Sequence, residues 1–324
     1  MTDPTRPLVS VIIPAYGRPD LLRKAVRSVL AQDLTQDKFE VIVVDGSPDN
    51  RNAELLANLQ TEAQCSLRCF RKTPEGPGPS RNLGAKEARG AYFAFLDSDC
   101  QASPGWLRNG IAEFQDDVGI VQGKTIPEPN VPHSVFNRSL EVFQESCFYE
   151  TANIFYRRAA FAQAGGFSGD RKGSSEKWLI GGEDVDLAWK VKRAGWKSRF
   201  SEKALVMHAL VPIPAWRWFF ETRMSTVPLT IRGYPELRRF FYARYFFDQT
   251  QALLVLGLTG LLVAAFTPLG WILALPYVVR RIAQPSKTLR GPLRLIRALL
   301  YFPRDMATFG ALLVGSIRYR ALLL

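Results

Sequence analysis

Short apolar runs alternate with amphipathic segments over the first third of the chain. Runs rich in Val, Ile and Phe stand at 8–13, 39–44 and 91–96, and each ends abruptly at a polar or turn-forming residue. Between them, apolar residues recur with helical spacing, for example at 20–30 and 81–89. Continuous apolar strands separated by helices are typical of a mostly parallel sheet that is covered on both faces. We therefore expect an α/β fold.

Polar residues follow three of the predicted strands. These segments are Ala15–Arg18, Asp45–Asp49 and Asp97–Asp99. A strand that ends in a polar turn would explain a lone Asp-Ser-Asp, because both residue types favour turns. Ligands of open α/β sheets, however, bind outside the carboxyl ends of the strands. The coincidence of three polar strand ends therefore indicates a binding site.

A second acidic motif occurs in GGEDVDLAWKVKRAGW, which begins at residue 181. Two glycines lead into a predicted helix whose first turn carries Glu183, Asp184 and Asp186. Acidic side chains are favourable at a helix N-terminus. Helix capping alone is therefore an alternative to a chemical role for these three residues.

Composition places the chain among folded cytosolic proteins. Hydrophobic residues make up 47% of the chain and charged residues 22%, which are not the values of a disordered protein. The four cysteines are scattered and do not form a zinc motif, so we expect reduced thiols. The first residues carry an acid and two prolines instead of the apolar core of a signal peptide, so we expect the fold to begin at once in the cytoplasm.

Net charge and hydropathy separate the C-terminal part from the rest. Residues 249–279 contain no charge, and residues 280–324 hold nine Lys or Arg and one acid. Basic residues beside an apolar segment indicate a membrane surface more readily than a nucleic acid. A break at 267–270 predicts a hairpin that dips into one leaflet, or two tilted spans; a buried soluble hairpin is the alternative. We divide the chain into a catalytic domain, 1–211, and a membrane-associated helical region, 212–324.

The motifs together resemble the inverting family 2 glycosyltransferases with the GT-A fold. The matching stretches are VSVIIPAYGRPDLLRKAVRSVLAQ, FEVIVVDGSPD, GPGPSRNLGAKEARGAYFAFLDSD, TANIFYRRAAFAQAGGFS and GGEDVDLAWKVKRAGW, with Met207-His208 after them. They occur in the family's order over residues 8–210. Two rival classes fit worse, because no GxGxxG follows the first strand and no Gly-rich loop with a Lys matches a P-loop.

The resemblance implies a divalent cation, Mn²⁺ or Mg²⁺, at the Asp-Ser-Asp motif. Hard cations prefer oxygen ligands, and Mg²⁺ usually takes one or two carboxylates together with phosphate oxygens. Asp99 would bind the ion directly, Asp97 would lie nearer the ribose or a metal-bound water, and His208 would be a further ligand. The ion would act as a Lewis acid on the departing diphosphate.

The resemblance also implies which residues bind the nucleotide sugar. The predicted set is Pro14, Ala15, Tyr16, Arg18, Asp45, Arg81, Asp97 and Ser98. Asp45 would accept a hydrogen bond from the base, and Arg81 would contact base or phosphate. Gly17 stands where the family usually has Asn, and VVDGSPD has one acid where two are common. A UDP-sugar is favoured as the donor, and other nucleotides stay open.

For the acceptor side, the resemblance implies that Asp184 is the general base. A carboxylate beside the acceptor can take the hydroxyl proton as attack begins. Glu183 would hydrogen-bond the acceptor, with Gly182 and Trp178 beside it. The resemblance also implies single displacement with one base and no nucleophile, and therefore inversion at the anomeric carbon. The family's processive Gln-x-x-Arg-Trp motif is not matched by Ala-Trp-Arg-Trp at 215–218, so we expect the addition of a single sugar.

We therefore expect a glycosyltransferase at the cytoplasmic face of the membrane. It would pass one sugar from a nucleotide-diphosphate donor to a lipid-linked or glycan acceptor in cell-envelope or exopolysaccharide assembly. A polyprenyl-phosphate monosaccharide synthase is the near alternative, since its phosphate acceptor needs no base. A nucleotide-sugar-binding membrane scaffold without activity is another alternative. A nucleic-acid partner is not expected, although a basic nucleic-acid binder stays a third option.

Overall fold

The computed structural model describes residues 6–132, 134–168, 182–219, 222–284 and 294–324. The predicted acceptor contact Trp178 lies outside the described residues. The chain divides into two compact units. Unit 1 comprises Met1–Val131 and Ser139–Leu210, and unit 2 comprises Pro132–Arg138 and Val211–Leu324.

The secondary-structure elements are numbered in chain order. The strands are β1 Val9–Ala15, β2 Phe39–Asp45, β3 Ser66–Arg71, β4 Tyr92–Leu96, β5 Cys100–Ala102, β6 Val118–Pro127, β7 Asn137–Arg138, β8 Asn153–Arg157, β9 Lys197–His208 and β10 Val211–Pro212. The α-helices are α1 Pro19–Leu30, α2 Arg51–Glu62, α3 Pro77–Glu87, α4 Trp106–Ala112, α5 Arg158–Gln163, α6 Glu183–Arg193, α7 Ala215–Phe219, α8 Val227–Gly233, α9 Gln249–Ala264, α10 Gly270–Ala283 and α11 Arg294–Tyr319.

Unit 1 is built on an eight-stranded sheet with the order β3-β2-β1-β4-β8-β6-β9-β5. The first four strands of this order are parallel, as the apolar runs predict. From β8 onward the sheet mixes directions, because β8 is antiparallel to both β4 and β6 and β5 is antiparallel to β9. The prediction of a mostly parallel sheet therefore describes only half of it. Strand β8 is almost wholly buried, so its sequence has the continuous apolar character of a parallel strand.

Helices pack closely against the parallel half of this sheet. In α1 the buried residues Leu22, Ala25, Val26 and Val29 recur with the period of a helix that covers a sheet. In α3 a Cβ placed on Gly84 would lie only 2.4 Å from Cγ2 of Ile12, so a glycine is required where this helix crosses β1. This close approach holds α3 against the sheet about one turn beyond Arg81.

Unit 2 is mostly helical. The apolar segment forms two helices, α9 and α10, that pair as a hairpin, and its turn falls at the predicted break near residues 267–270. Among the helices of the described residues, none combines the length and the apolar character that a membrane span needs. Association of this region with a membrane therefore stays a prediction.

Candidate active site

The Asp-Ser-Asp motif forms a tight turn at the carboxyl end of β4. The backbone N–H of Cys100 donates to the Asp97 carbonyl at 3.0 Å, which closes the turn around Ser98, itself half-buried. A short strand, β5, starts at once and pairs Cys100 with His208 on β9. The sequence motif is thus both a turn and the place where two predicted metal ligands meet.

Asp99 and His208 form a pair suited to a divalent cation. The Asp99 Oδ1 and His208 Nε2 atoms are 3.7 Å apart, which is too long for a hydrogen bond. These two atoms would hold a divalent cation, because a carboxylate oxygen and a neutral imidazole nitrogen are both common metal ligands. His208 Nδ1 lies 2.9 Å from the Ala209 carbonyl, and a proton donated there leaves the Nε2 lone pair available as a ligand. The residues present therefore fit the predicted ion.

The surroundings of Asp99 favour an added positive charge. Burial raises the pKa of Asp99, the charge of His208 lowers it, and repulsion from Asp97 raises it further. Arg18 Nη1 lies 3.5 Å from Asp99 Oδ2 and supplies part of the compensation. The Cys100 sulfur lies nearby, but burial raises the pKa of this thiol well above its usual value. Because Mg²⁺ and Mn²⁺ prefer oxygen ligands to a thiol, we assign the pair without Cys100.

Arg81 connects the metal side of the site with the predicted acceptor side. Its side chain is buried, and its Nη2 donates to Asp97 Oδ1 at 2.7 Å. Its Nη1 lies 3.7 Å from Glu183 Oε1 and 3.5 Å from Asp184 Oδ1. One guanidinium group therefore faces three carboxylates. The sequence predicts Arg81 as a contact of base or phosphate, and the structure places it among the carboxylates.

Asp184 has the environment of a proton acceptor. The pKa of Asp184 is raised to about 7. Burial and the charges of Glu183 and Asp97 raise it, and the charge of Arg81 partly offsets this effect. Oδ2 accepts hydrogen bonds from the Thr151 backbone N–H at 3.2 Å and from Thr151 Oγ1 at 3.1 Å. Oδ1 is buried and accepts no hydrogen bond from the residues that the structure describes. A carboxylate with a pKa near neutral pH is well matched to general-base catalysis.

The acidic residues that precede and follow Asp184 differ in their contacts. The backbone N–H of Gly182, the residue before α6, donates to Glu183 Oε2 at 3.2 Å. Asp186 Oδ2 accepts from Lys190 Nζ at 2.6 Å and also from the Ser168 hydroxyl. Asp186 is thus bound within its own helix and to Ser168, whereas Asp184 faces Arg81. Helix capping alone does not explain the contacts of Asp184.

The ends of β1 and β2 form the predicted nucleotide end of the site. Asp45 is buried, and its Oδ1 accepts from Ser47 Oγ at 2.6 Å and from Asn52 Nδ2 at 3.0 Å. Its Oδ2 accepts no hydrogen bond within the described part of the chain. Because buried polar atoms normally have a partner, this oxygen marks a place where a ligand N–H would fit.

The residues around Asp45 shape the same end. Ala15 is the register partner of Asp45 at the end of β1, and its carbonyl accepts from the Gly46 N–H at 2.9 Å. The Tyr16 side chain is 62% exposed, and a Cβ on Gly46 would lie 3.7 Å from its ring. Pro14, in β1, is half-buried. The exposed ring of Tyr16 therefore stands beside the buried carboxylate, as a surface on which a base can stack.

Three residues that organise the site were not predicted from the sequence. Ser47 and Asn52 orient the Asp45 carboxylate, and Asn52 Nδ2 also donates to Ser47 Oγ at 2.9 Å. Thr151 holds Asp184. Thr151 precedes β8, and because β8 is antiparallel to β4, with Asn153 opposite Leu96, the start of β8 lies at the edge where β4 ends. The direction of β8 is the signal that would have identified Thr151.

The fold and these groups define an enzyme class. A carboxylate–histidine pair and a separate buried carboxylate lie at the carboxyl edge of a mixed α/β sheet, as the resemblance to the GT-A glycosyltransferases implies. The model of the family described as Glycosyl transferase family 2 matches residues 10–179. The chain belongs to that family.

Individual relatives agree with this assignment. Glycosyltransferase AglE of Haloferax volcanii is 26% identical over 217 residues, which cover 64% of this chain and 69% of AglE. A poly(ribitol-phosphate) beta-N-acetylglucosaminyltransferase, TarS of Staphylococcus aureus, is 27% identical over 133 residues, which cover 40% of this chain but only 23% of TarS. The chain thus spans a small part of some relatives and about two thirds of AglE.

Solved structures show the same fold. The mannosyltransferase PcManGT from Pyrobaculum calidifontis, in complex with GDP-Man and Mn²⁺, has a TM-score of 0.59 at 19% identity. The match covers 98% of this chain and 88% of that one. A fragment of S. aureus TarS in complex with UDP-GlcNAc has a TM-score of 0.51 at 18% identity, with coverages of 97% and 92%.

Proposed function

We propose that the protein is an inverting, metal-dependent glycosyltransferase that moves a single sugar from a nucleotide-diphosphate donor to an acceptor hydroxyl. The observation that carries the proposal is that Arg81 connects two carboxylate sites with different environments. On one side Asp99 and His208 are spaced for a cation. On the other, Asp184 is buried with a pKa of about 7. The first arrangement suits a diphosphate, and the second suits a hydroxyl proton.

The donor is expected to lie across the ends of β1, β2 and β4. Asp45 and Tyr16 would bind the base, and Arg18 and Ser98 stand near the diphosphate end. Complexes of similar structures with GDP-Man and with UDP-GlcNAc support a nucleotide-diphosphate sugar. A UDP-sugar stays our favoured donor. Asp99 and His208, with Asp97 alongside, would hold Mn²⁺ or Mg²⁺, which neutralises charge on the departing diphosphate when bound.

The chain's own residues account for the acceptor's activation. The Asp184 carboxylate takes the proton of the acceptor hydroxyl as the acceptor oxygen bonds to the anomeric carbon. The bond from that carbon to the diphosphate oxygen breaks, and the diphosphate leaves with the electron pair. Thr151 orients the base, and Glu183 is placed to accept a hydrogen bond from the acceptor. A single displacement of this kind inverts the anomeric carbon.

For the acceptor, we propose a lipid-linked or glycan hydroxyl in cell-envelope or exopolysaccharide assembly, reached at the cytoplasmic face of the membrane. The name of TarS, which specifies poly(ribitol-phosphate), supports an envelope polymer. A polyprenyl-phosphate monosaccharide synthase stays the alternative. It would use a phosphate acceptor that needs no base, and a carboxylate whose pKa is raised to about 7 favours the hydroxyl instead.

Thermal-shift and transfer measurements on matched variants test the proposal. We expect one nucleotide sugar to stabilise the protein in the presence of Mn²⁺ and Asp99→Ala to abolish the metal-dependent part. Asp184→Asn should keep that stabilisation and lower transfer by about 10²- to 10⁴-fold. Asp186→Asn is the matched control, because this acid is in the same helical turn and is bound to Lys190.

Two outcomes would contradict the assignment in different ways. Near-normal turnover of Asp184→Asn would exclude Asp184 as the base and favour the polyprenyl-phosphate synthase. Stabilisation by a donor without transfer to any acceptor and without donor hydrolysis would favour a scaffold that binds nucleotide sugars.

A further inference from the structure

The α9–α10 hairpin is packed through its glycines. A Cβ on Gly260 would lie 2.6 Å from the Gly270 carbonyl oxygen and 2.6 Å from Leu273 Cβ. A Cβ on Gly270 would lie 2.3 Å from the Ala264 backbone nitrogen. The two helices therefore approach each other through small residues, as helices do in a lipid environment.

The large apolar side chains of the hairpin face outward. At its tip Phe266 is 92% exposed, Leu262 73% and Leu269 68%. Trp271 and Ile272, in the first turn of α10, are also exposed. No charged residue occurs between Asp248 and Arg280. This surface, which we call the hairpin tip (residues 262–272), needs a partner that is itself apolar.

Aromatic and basic side chains stand at the other end of the hairpin. The segment just before α9 exposes Phe240, Tyr242 and Tyr245. The Arg239 guanidinium lies 4.8 Å from the Phe240 ring centre, and that of Arg238 lies 5.1 Å from the Tyr245 ring centre. Amphipathic rings together with arginines are typical of the headgroup level of a bilayer. The hairpin thus changes from aromatic and basic at its base to purely apolar at its tip.

Charge decides between a bilayer and a second copy of the chain as the partner. Residues 212–324 hold fifteen Lys or Arg against four Asp or Glu, a net charge of +11, whereas residues 1–211 have a net charge of only +1. Two copies of so basic a region repel each other, while anionic headgroups attract it. The length also fits, since the 16 residues of α9 span about 24 Å, less than the roughly 30 Å of a hydrocarbon core.

We propose that unit 2 docks on an anionic bilayer by inserting the hairpin tip into the leaflet that faces it. The aromatic and arginine side chains at the base would then lie among the headgroups. This docking is independent of the proposed transfer reaction, and its readouts need neither a donor nor an acceptor.

Vesicle binding by the full chain tests the proposal. We expect co-sedimentation with vesicles of phosphatidylcholine and phosphatidylglycerol, and weaker binding to phosphatidylcholine alone and at high salt. Replacing two inserted side chains in Phe266→Asp/Leu269→Asp should weaken binding by about 100-fold. Phe143→Asp, which changes an exposed phenylalanine of unit 1, is the matched control and should bind normally. Unchanged thermal melting would show that the variants fold.

The depth of insertion has its own readout. Brominated acyl chains should quench tryptophan fluorescence of the protein, and Trp271→Phe should remove that part of the quenching. Equal vesicle binding by the parent protein and the Phe266→Asp/Leu269→Asp variant would overturn the proposal. So would self-association that the same substitutions abolish, in a protein that does not bind vesicles, because the tip would then be a contact between copies of the chain.

Discussion

Each unit contains a nearly buried arginine that faces carboxylate oxygens, and the two arginines are partnered in opposite ways. In unit 2, Arg281 donates through Nε to Asp305 Oδ2 at 2.7 Å and through Nη2 to Oδ1 of the same carboxylate. Its Nη1 donates to Gln284 at 2.9 Å, and Tyr277 donates to Asp305 at 2.6 Å. One cation and one anion are completely paired.

In unit 1, Arg81 faces three carboxylates. Within the part of the chain that the structure describes, its Nη1 and Nε donate no hydrogen bond, and the Oδ1 atom of Asp184 accepts none. Buried polar groups are almost always hydrogen-bonded in folded proteins. The complete pair joins α10 to α11. For the incomplete cluster, we propose that the atoms without a partner receive groups that arrive with the substrates.

The largest expected effect is a loss of folding stability when the complete pair of unit 2 is broken. Asp305→Ala leaves the Arg281 charge buried without its partner, so we expect a loss of about 3–5 kcal/mol in the free energy of unfolding. Urea denaturation measures the change. Replacing both residues, in Arg281→Met/Asp305→Leu, should restore most of the lost stability, because it removes the unpaired charge. If the double variant is as unstable as Asp305→Ala, lost packing rather than an unpaired charge is the cause.

Exchanging each arginine for lysine should separate the two roles. A lysine keeps the charge but cannot donate to several carboxylates in one plane. At Arg81 we expect sugar transfer to fall by about 100-fold, since Asp97 and Asp184 lose their common partner. At Arg281 we expect transfer by the folded protein to be unchanged. Equal losses of transfer in Arg81→Lys and Arg281→Lys would remove the distinction between the clusters.

The edge of the sheet at which the unit 1 carboxylates lie was predictable from the sequence. Apolar runs that end at Asp45 and Asp97 indicate strands and the edge at which their carboxylates lie. The structure brings Asp97, Asp99, Asp184 and His208 into unit 1 at that edge, as the resemblance implies. Local sequence pattern predicts these positions because each residue lies at or just after the end of a strand, or in the first turn of a helix.

The pairing of charges was not predictable. The sequence predicts Arg81 as a contact of base or phosphate, but it does not reveal the partners Asp97 and the α6 carboxylates, which are distant in sequence. Thr151 was missed because its place depends on the direction of β8, and a strand buried on both faces does not reveal its direction. In unit 2, the sequence shows Asp305 as the one acid among the basic residues of 280–324, but it does not show that Arg281 is its partner. Long-range pairing and strand direction are tertiary properties.

The next expected effect is a pH dependence of folding stability that Asp184, in the incomplete cluster of unit 1, causes. The pKa of Asp184 is about 7 in the folded protein, against 3.8 as its ordinary value. Because the raised pKa means that the folded state holds the proton more tightly, folding stability decreases as the pH rises from 3.8 to about 7. We expect Asp184→Asn to gain about 2 kcal/mol over the parent protein between about pH 5 and about pH 8. Thermal melts of both proteins across this range measure the gain, and a constant difference would contradict the raised pKa.

The smallest expected effect concerns Thr151, which positions the base. Thr151→Val keeps the shape and the backbone N–H but removes the hydroxyl that donates to Asp184 Oδ2. We expect kcat to fall by about tenfold with the donor KM unchanged, and the acidic limb of the pH–rate profile to move to higher pH, because a carboxylate that loses a donor has a higher pKa. Thr151→Ser retains the hydroxyl and should restore both. If Thr151→Val lowers folding stability but leaves the pH–rate profile unchanged, Thr151 packs beside Asp184 without changing the pKa of its carboxylate.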